Sequence, residues 1–400
     1  MREMRNSGVK WLGSVPSHWN VVKTKYLLRK HKNIAGGNSP NYQRLALTMK
    51  GVIQRSKYAD SGLQPENFDG YQILHQGDFV FKLIDLQNIS TSRVGLSSYE
   101  GLVSPAYIVA TPTGLIEPAY LEMYYLMMWR NEVFNALGAG VRQSLGFQEL
   151  GDVPVLVPPR KEQLSIADFL DAKCAEIDRA IEAAEKSIEE LLKYRSSYLD
   201  DTFSRLDSIY PKVKLKYVLK ESKEKSADGI GEPLSITIAS GVLRSSELEI
   251  PNPASSMVGA KIVHAGDLVF NKLKAYFGVM YVSPYDGLIS SEYAIYRALN
   301  PSEVSLKYIE YLVHTNRIID EFIIRISGVA DGFRRLYTSE LFNIAITLPP
   351  LLVQEKAVRE LNAIYDSIDA SIASKQTIIA DLKAYKRSLV YEVVTGKREV

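Results

Sequence analysis

A single cysteine in 400 residues, Cys174, rules out an internal disulfide. Its place within a helical pattern predicts a buried, small apolar residue in a reducing compartment. No run of about 18 apolar residues occurs, so no membrane-spanning helix is expected. The opening MREMRNSGVKWLG lacks the apolar core and small-residue cleavage site of a signal peptide, so the expected location is cytoplasmic. No G-x-x-x-x-G-K-[ST] phosphate loop is present and no Asn-Pro-Pro-Tyr or Asp-Pro-Pro-Tyr signature, which excludes the ATP motors and adenine methyltransferases that carry them. Five scattered histidines and one cysteine offer no metal-ligand spacing, so neither a catalytic centre nor a cofactor is expected in this chain. Charge of one sign is also lacking: 48 Lys and Arg stand against 46 Asp and Glu, a net +2. The distribution is less even, with twelve Lys or Arg and one acid between Met1 and Ala59. Such a run is either a solvated face or an electrostatic footprint.

What the chain does contain, it contains twice. QILHQGDFVFKL at Gln72 returns as KIVHAGDLVFNK at Lys261, and six of the nine positions from Ile73 to Phe81 and from Ile262 to Phe270 are identical. Further matches follow in order: VVKTKYLL and KVKLKYVL, whose Tyr26 and Tyr217 lie 191 apart; GLVSPAYIV and GLISSEYAIY, 186 apart; LVPPRKEQ and TLPPLLVQE, whose Pro158 and Pro349 are again 191 apart. A period of this length gives each repeat the size of a domain, so the chain reads as a tandem duplication.

Each half divides in two. Residues 15–157 and 208–348 show short alternating stretches such as DFVFKLI and DLVFNKL, broken by Gly, Pro, Asn and Ser, which predicts strands with one or two short helices. The matched helices are expected over Glu117–Leu137 and Ser305–Ile323. After each Pro-Pro comes a stretch free of Gly and Pro, Arg160–Ser208 and Leu351–Thr395. In the first, Leu170, Ile177, Ala184, Leu191 and Tyr198 recur every seven residues with Ala167, Cys174, Ile181 and Ile188 between them. In the second, Leu361, Ile368, Leu382 and Leu389 alternate with Val358, Tyr365, Ile372 and Ile379, interrupted by Lys375. That is an a/d seam, and the two helices should pack on each other. The expected fold is α+β: two similar tandem modules joined by two long antiparallel helices in a coiled coil, with pseudo-two-fold symmetry. A helix of about 40 residues spans about 60 Å. Two readers held rigidly apart could meet two half-sites on one side of a duplex, whose repeat is about 34–36 Å, and two unlike readers could read an asymmetric split sequence.

The order of module, PVLVPPRKEQLSIADFLDAKCAEIDRAI, module, ITLPPLLVQEKAVRELNAIYDSIDASI and the ending LVYEVVTGKREV resembles the specificity subunit of bacterial type I restriction-modification systems. GSVPSHW near the start, GDLVFNKLKAYFG, GLISSEYAIY and GVRQSLGFQELGDVPV carry the same resemblance over essentially the whole chain. It implies a first target recognition domain over 1–157, a central helix over 158–207, a second recognition domain over 208–348 and a C-terminal helix over 349–400 that pairs with the central one. It further implies a noncatalytic DNA-binding subunit with double-stranded DNA, two methyltransferase subunits and motor-nuclease subunits as partners. S-adenosylmethionine, ATP and Mg²⁺ would then belong to those partners, in N6-adenine methylation and phage defence.

Candidate DNA contacts follow from residue type at loop tips, since Arg and Lys neutralise phosphate, Arg reads guanine, and Asn or Gln reads adenine. AGVRQSLGF offers Arg142 and Gln143, and ADGFRRLY offers Arg334 and Arg335. VFNKLKAYFG offers Asn271, Lys272, Lys274 and Tyr276, against Lys82 and Gln87 in VFKLIDLQN. Lys50, Arg55 and Arg244 flank the aligned Gly51 and Gly241. His75 and His264 are expected to be hydrogen-bonded structural residues, and Gly77-Asp78 and Gly266-Asp267 to form turns. Two other classes compete: a coiled-coil adaptor without DNA specificity, which has no need of two diverged ends, and a self-contained nuclease or methyltransferase, which needs a motif the chain lacks.

Overall fold

The computed structural model describes residues 2–57, 67–87, 91–137, 144–248, 257–326 and 335–400. The chain forms two compact units, Met1–Ala184 with Thr377–Val400, and Glu185–Gln376. The chain passes from one unit to the other twice, each time within a helix.

In the first unit one four-stranded sheet runs in the order Gly51–Arg55, Arg44–Thr48, Gly101–Val103, Gln72–Leu74. A second runs Leu28–His31, Ile108–Pro112, Phe79–Phe81, Val94–Leu96. The second unit repeats that second sheet as Leu219–Glu221, Ala294–Ala298, Leu268–Phe270, Met280–Val282. It reduces the other to two antiparallel pairs, Leu234–Thr237 with Gly241–Arg244, and Lys261–Val263 with Gly287–Ile289, linked by a single parallel bridge from Pro233 to Leu288. The apolar residues that alternate along these strands fill a core of Leu45, Leu47, Val52, Leu74, Val80, Val103 and Val109 in the first unit. Leu234, Ile236, Val242, Val263, Val269, Ile289 and Ile295 take the same places in the second.

Glu117–Leu137 and Ser305–Ile323 are not single helices. The first is α1 (Pro118–Arg130) followed by Val133–Leu137, broken where Glu132 adopts a left-handed backbone at φ 58°. The second is α3 (Leu306–Val313) followed by α4 (Asn316–Arg325), broken at Thr315, whose extended backbone starts α4. The turns of the copied strand are as expected: Asp78 Oδ2 accepts the His75 amide at 3.0 Å and Asp267 Oδ2 the His264 amide at 2.9 Å. His75 and His264 themselves bond to Glu100 and Glu224.

The long helices are α2 (Arg160–Ile209) and α5 (Leu351–Val394). Each starts just after a Pro-Pro, where missing amides cost nothing. A buried glutamine moors each start. Gln163 Nε2 donates to Pro158 O at 2.7 Å while its Oε1 accepts the Glu117 amide at 2.6 Å. Gln354 repeats this with Pro349 O at 2.7 Å and the Ser305 amide at 3.0 Å. The seam buries Leu170, Cys174, Ile177 and Ile181, then Leu361, Ile368, Ile379 and Leu389, and burial raises the Cys174 thiol pKa. The Lys375 interruption is half-buried. In the first unit Lys386 Nζ binds Asp178 at 2.6 Å. In the second Arg195 Nη1 binds Asp369 at 2.8 Å and lies 4.0 Å over the Tyr365 ring. Asp178 and Asp369 are 191 apart, as are Arg195 and Lys386, so one ion pair is made twice with the helices exchanging roles. The start of α2 thus meets the end of α5 and the reverse, an antiparallel pairing. No helix among the described residues is long and apolar enough to cross a membrane.

One repeated brace differs in chemistry. Glu122 on α1 accepts the Leu96 amide at 2.8 Å, and Glu310 on α3 accepts the Val282 amide at 2.8 Å. Glu310 also pairs with Lys307 at 2.6 Å, and no such pair is described for Glu122. Burial raises the Glu122 carboxyl above the usual carboxylate range, opposed by the Leu96 amide. A carboxyl raised by folding favours the folded state below its unfolded pKa of about 4.3, and that contribution fades as pH rises through the folded value. Glu122→Gln keeps the acceptor and removes the charge, so the variant should match or exceed the parent in thermal stability at pH 7 and lose part of the decline above pH ~4.3. Glu310→Gln breaks an ion pair and should cost about 1 kcal/mol. Equal responses of the two variants in calorimetry across pH would refute this contrast.

Candidate nucleic-acid interface

Of the expected contact residues, Arg142, Gln143 and Arg334 lie outside the described residues. Lys50 is exposed on the two-residue turn between Arg44–Thr48 and Gly51–Arg55, its amide bonded to Thr48 Oγ1 at 3.2 Å. Arg55 stands at the far end of the same hairpin, opposite Arg44. Lys50 and Arg55 are therefore not brought together. Met49 of the turn lines a cleft of about 610 Å³ with Trp129, Arg130, Lys383, Lys386 and Arg387. With Glu132 and Asp178 also in its lining, the cleft carries more basic than acidic groups; sequence reasoning missed it because its cations come from two distant helices and none stands in a motif.

Lys82 is half-buried, and its Nζ donates to Thr91 Oγ1 at 2.9 Å. Burial and then the nearby Arg93 hold its ammonium pKa below the usual value. Arg93, also missed, is fully buried, and its Nη2 donates to Asp85 O at 2.5 Å. Two adjacent cations of this kind are a strong local source of positive potential. Gln87 is exposed nearby in sequence.

In the second unit Arg244 is exposed at the end of its strand, with its guanidinium 4.7 Å over the Tyr285 ring. Lys272, Lys274, Tyr276 and Arg335 are brought together instead. The 3₁₀ turn Lys272–Phe277 holds the first three, and the Leu336 amide bonded to Lys272 O at 3.1 Å brings Arg335 beside it. Arg335 Nη2 pairs with Glu292 at 2.8 Å. Lys272 is half-buried, and its ammonium pKa is lowered first by burial and then by Lys261. Lys274 and Tyr276 are exposed. Asn271 is buried, and its Oδ1 caps the turn by accepting the amides of Leu273 at 3.1 Å and Lys274 at 3.2 Å. That acceptor is committed to the backbone.

Matching hydrogen bonds align the two copies residue by residue. The Lys82 amide bonds to Arg93 O and the Asn271 amide to Val279 O, both at 2.9 Å; the Leu145 amide meets Leu83 O where the Leu336 amide meets Lys272 O. Lys82 therefore occupies the place of Asn271, and Leu83 that of Lys272. The scaffolds coincide while the side chains presented on them do not.

No family model matches the chain. Among solved structures, the HsdS subunit from Thermoanaerobacter tengcongensis is similar over 98% of this chain and 100% of its own, at a TM-score of 0.56 and 15% identity. A chain from a structure on complex assembly and conformational transition of the type I restriction-modification system is similar over 96% of this chain and 99% of its own, at a TM-score of 0.61 and 15% identity. The chain therefore has the fold of type I restriction-modification HsdS specificity subunits.

Proposed function

We propose that this chain is the noncatalytic DNA-reading subunit of a type I restriction-modification complex. It reads a split, asymmetric duplex sequence with one unit per half-site, and it directs N6-adenine methylation and restriction carried out by partner subunits. The observation that carries this reading is the duplication with divergence. Core positions, glutamine moorings and the helix ion pair repeat one for one. The segment after the copied strand differs, with Lys82 and Gln87 in one unit and Lys272, Lys274 and Tyr276 in the other. Two readers of different sequences on one scaffold require this pattern, and a coiled-coil adaptor does not. S-adenosylmethionine, ATP and Mg²⁺ serve the partners, two methyltransferase subunits and motor-nuclease subunits, and the complex works in the cytoplasm.

Nine basic and nine acidic residues between Ser256 and Pro350 leave the second module electrically neutral. The isolated chain should therefore bind duplex weakly and with steep salt dependence, and tight specific binding should appear only with the methyltransferase partners. Sequencing DNA from cells that express the chain with an active methyltransferase partner should reveal a split N6-methyladenine motif. Exchanging residues 208–348 for those of a related chain should change one half of the motif and not the other. An active partner that leaves no new methylation would refute the reading.

A further inference from the structure

Two neighbouring aromatic side chains of the second unit are exposed. Tyr276 is 42% exposed and Phe277 51%, and their rings lie tilted at 42° to each other with centroids 4.3 Å apart. Exposing such a pair wastes buried area unless something covers it. The turn that carries it is rigid at both ends. Asn271 caps its start, and Ala275 is buried beneath it. Gly278 ends it in the left-handed region at φ 67°. A Cβ on Gly278 would stand 2.9 Å from Ile319 Cδ1 and 3.0 Å from His314 Cδ2, so a side chain there would force both to shift. His314 Nε2 also donates to Gly278 O at 2.7 Å. The rings are thus presented in a preset orientation, with Lys272 and Lys274 on the same turn and Arg335 beside it.

We propose that Tyr276 and Phe277 form a wedge that inserts at a base step of the half-site read by the second unit, unstacking and bending the duplex there, with Lys274, Lys272 and Arg335 attracting the flanking phosphates. Apolar and aromatic wedges between base steps bend duplexes by about 20–90°, and a ring on an exposed base face contributes affinity with little base preference. Sequence would then be read partly through the ease of opening the step, which is greatest at pyrimidine-purine steps. The corresponding segment of the first unit, Lys82 to Arg93, contains no aromatic residue, so the distortion should be confined to one half-site. This inference rests on the DNA-reading role proposed above.

The test uses the complete complex with its methyltransferase partner. The methylated motif is found first by sequencing, and the half read by the second unit is the one that changes when residues 208–348 are exchanged. Duplexes of that motif carrying 2-aminopurine at successive positions are then bound to the complex. Apart from the target adenines, which the methyltransferases extrude themselves, fluorescence should rise several-fold at one step of the second-unit half-site and nowhere in the other half. Tyr276→Ala with Phe277→Ala should abolish the rise and weaken binding about ten- to a hundredfold, as loss of one base-aromatic stack predicts. The motif should be unchanged, and Phe277→Tyr should retain the rise. Should the double variant fail to fold, Tyr276→Ser and Phe277→Ser singly replace it. No rise besides that of the extruded target adenines, or a further rise that survives the substitutions, overturns the wedge. So does loss of partner assembly with the rise intact, which would make the patch a protein contact. Failure of the DNA-reading role appears earlier and separately, as no motif in the parent, and the wedge falls with it.

Discussion

Gly101→Ala and Gly287→Ala should each unravel the sheet of one unit and leave the other intact. At both positions an added Cβ falls well inside contact distance of a backbone oxygen, Gln43 O in the first unit and Glu232 O in the second. The oxygens cannot step aside, because each accepts the next amide of the same strand: Leu102 to Gln43 O at 2.8 Å and Leu288 to Glu232 O at 2.8 Å. Leu45 and Leu234 crowd the same space. Relief requires parting two backbones in a packed core, so the cost combines overpacking with a broken buried hydrogen bond, about 3 kcal/mol or more. Hydrogen exchange should show lost protection in Arg44–Thr48 and Gly101–Val103 for Gly101→Ala. For Gly287→Ala the loss should fall on Leu234–Thr237 and Gly287–Ile289. Either variant should end methylation of the full motif. Protection equal to the parent in both would mean that the close approach tolerates a methyl group.

Seven residues inserted into α2 after Ala184 and seven into α5 after Gln376 should lengthen the gap between the methylated half-sites and alter neither half. The insertions fall where both helices pass from one unit to the other. A full heptad keeps the a and d positions on the seam, whereas a single turn would rotate them off it. At 1.5 Å per residue the added length is about 10 Å, equal to about three base pairs. Sequencing the methylated motif reads the outcome directly. An unchanged gap, with methylation retained, would show that something other than the helices sets the spacing.

The seam was legible in the sequence because a coiled coil writes its contacts every seven residues, and the same residues are buried or half-buried here. The duplicated strands were legible for a similar reason, since alternation along a half-buried strand leaves Val80 and Val269, or Leu74 and Val263, in matching places. The breaks at Glu132 and Thr315 were not. Both interrupt continuous apolar patterns, and a left-handed glutamate or an extended threonine leaves no compositional trace. Within the interface, the ungapped match that ends at Phe81 and Phe270 sets Lys82 against Asn271, and the backbone bonds agree, but only the fold shows that Asn271 is buried as a cap. Arg93 stands among polar residues that suggest a surface loop, and only the fold buries it. The basic cleft joins residues from Arg130 to Arg387, a grouping that no local pattern can show.

The buried glutamines bear on how such a chain can be re-engineered. Gln354 belongs to α5, yet it binds Glu303 O at 2.8 Å and the Ser305 amide within the module before it. Gln163 does the same for the amide of Glu117. A graft cut at the Pro-Pro separates socket from plug, but both modules of this chain bring the same backbone socket and both helices the same plug. Modules should therefore be interchangeable parts keyed to a common joint, and a graft should fail first where the donor helix lacks that glutamine.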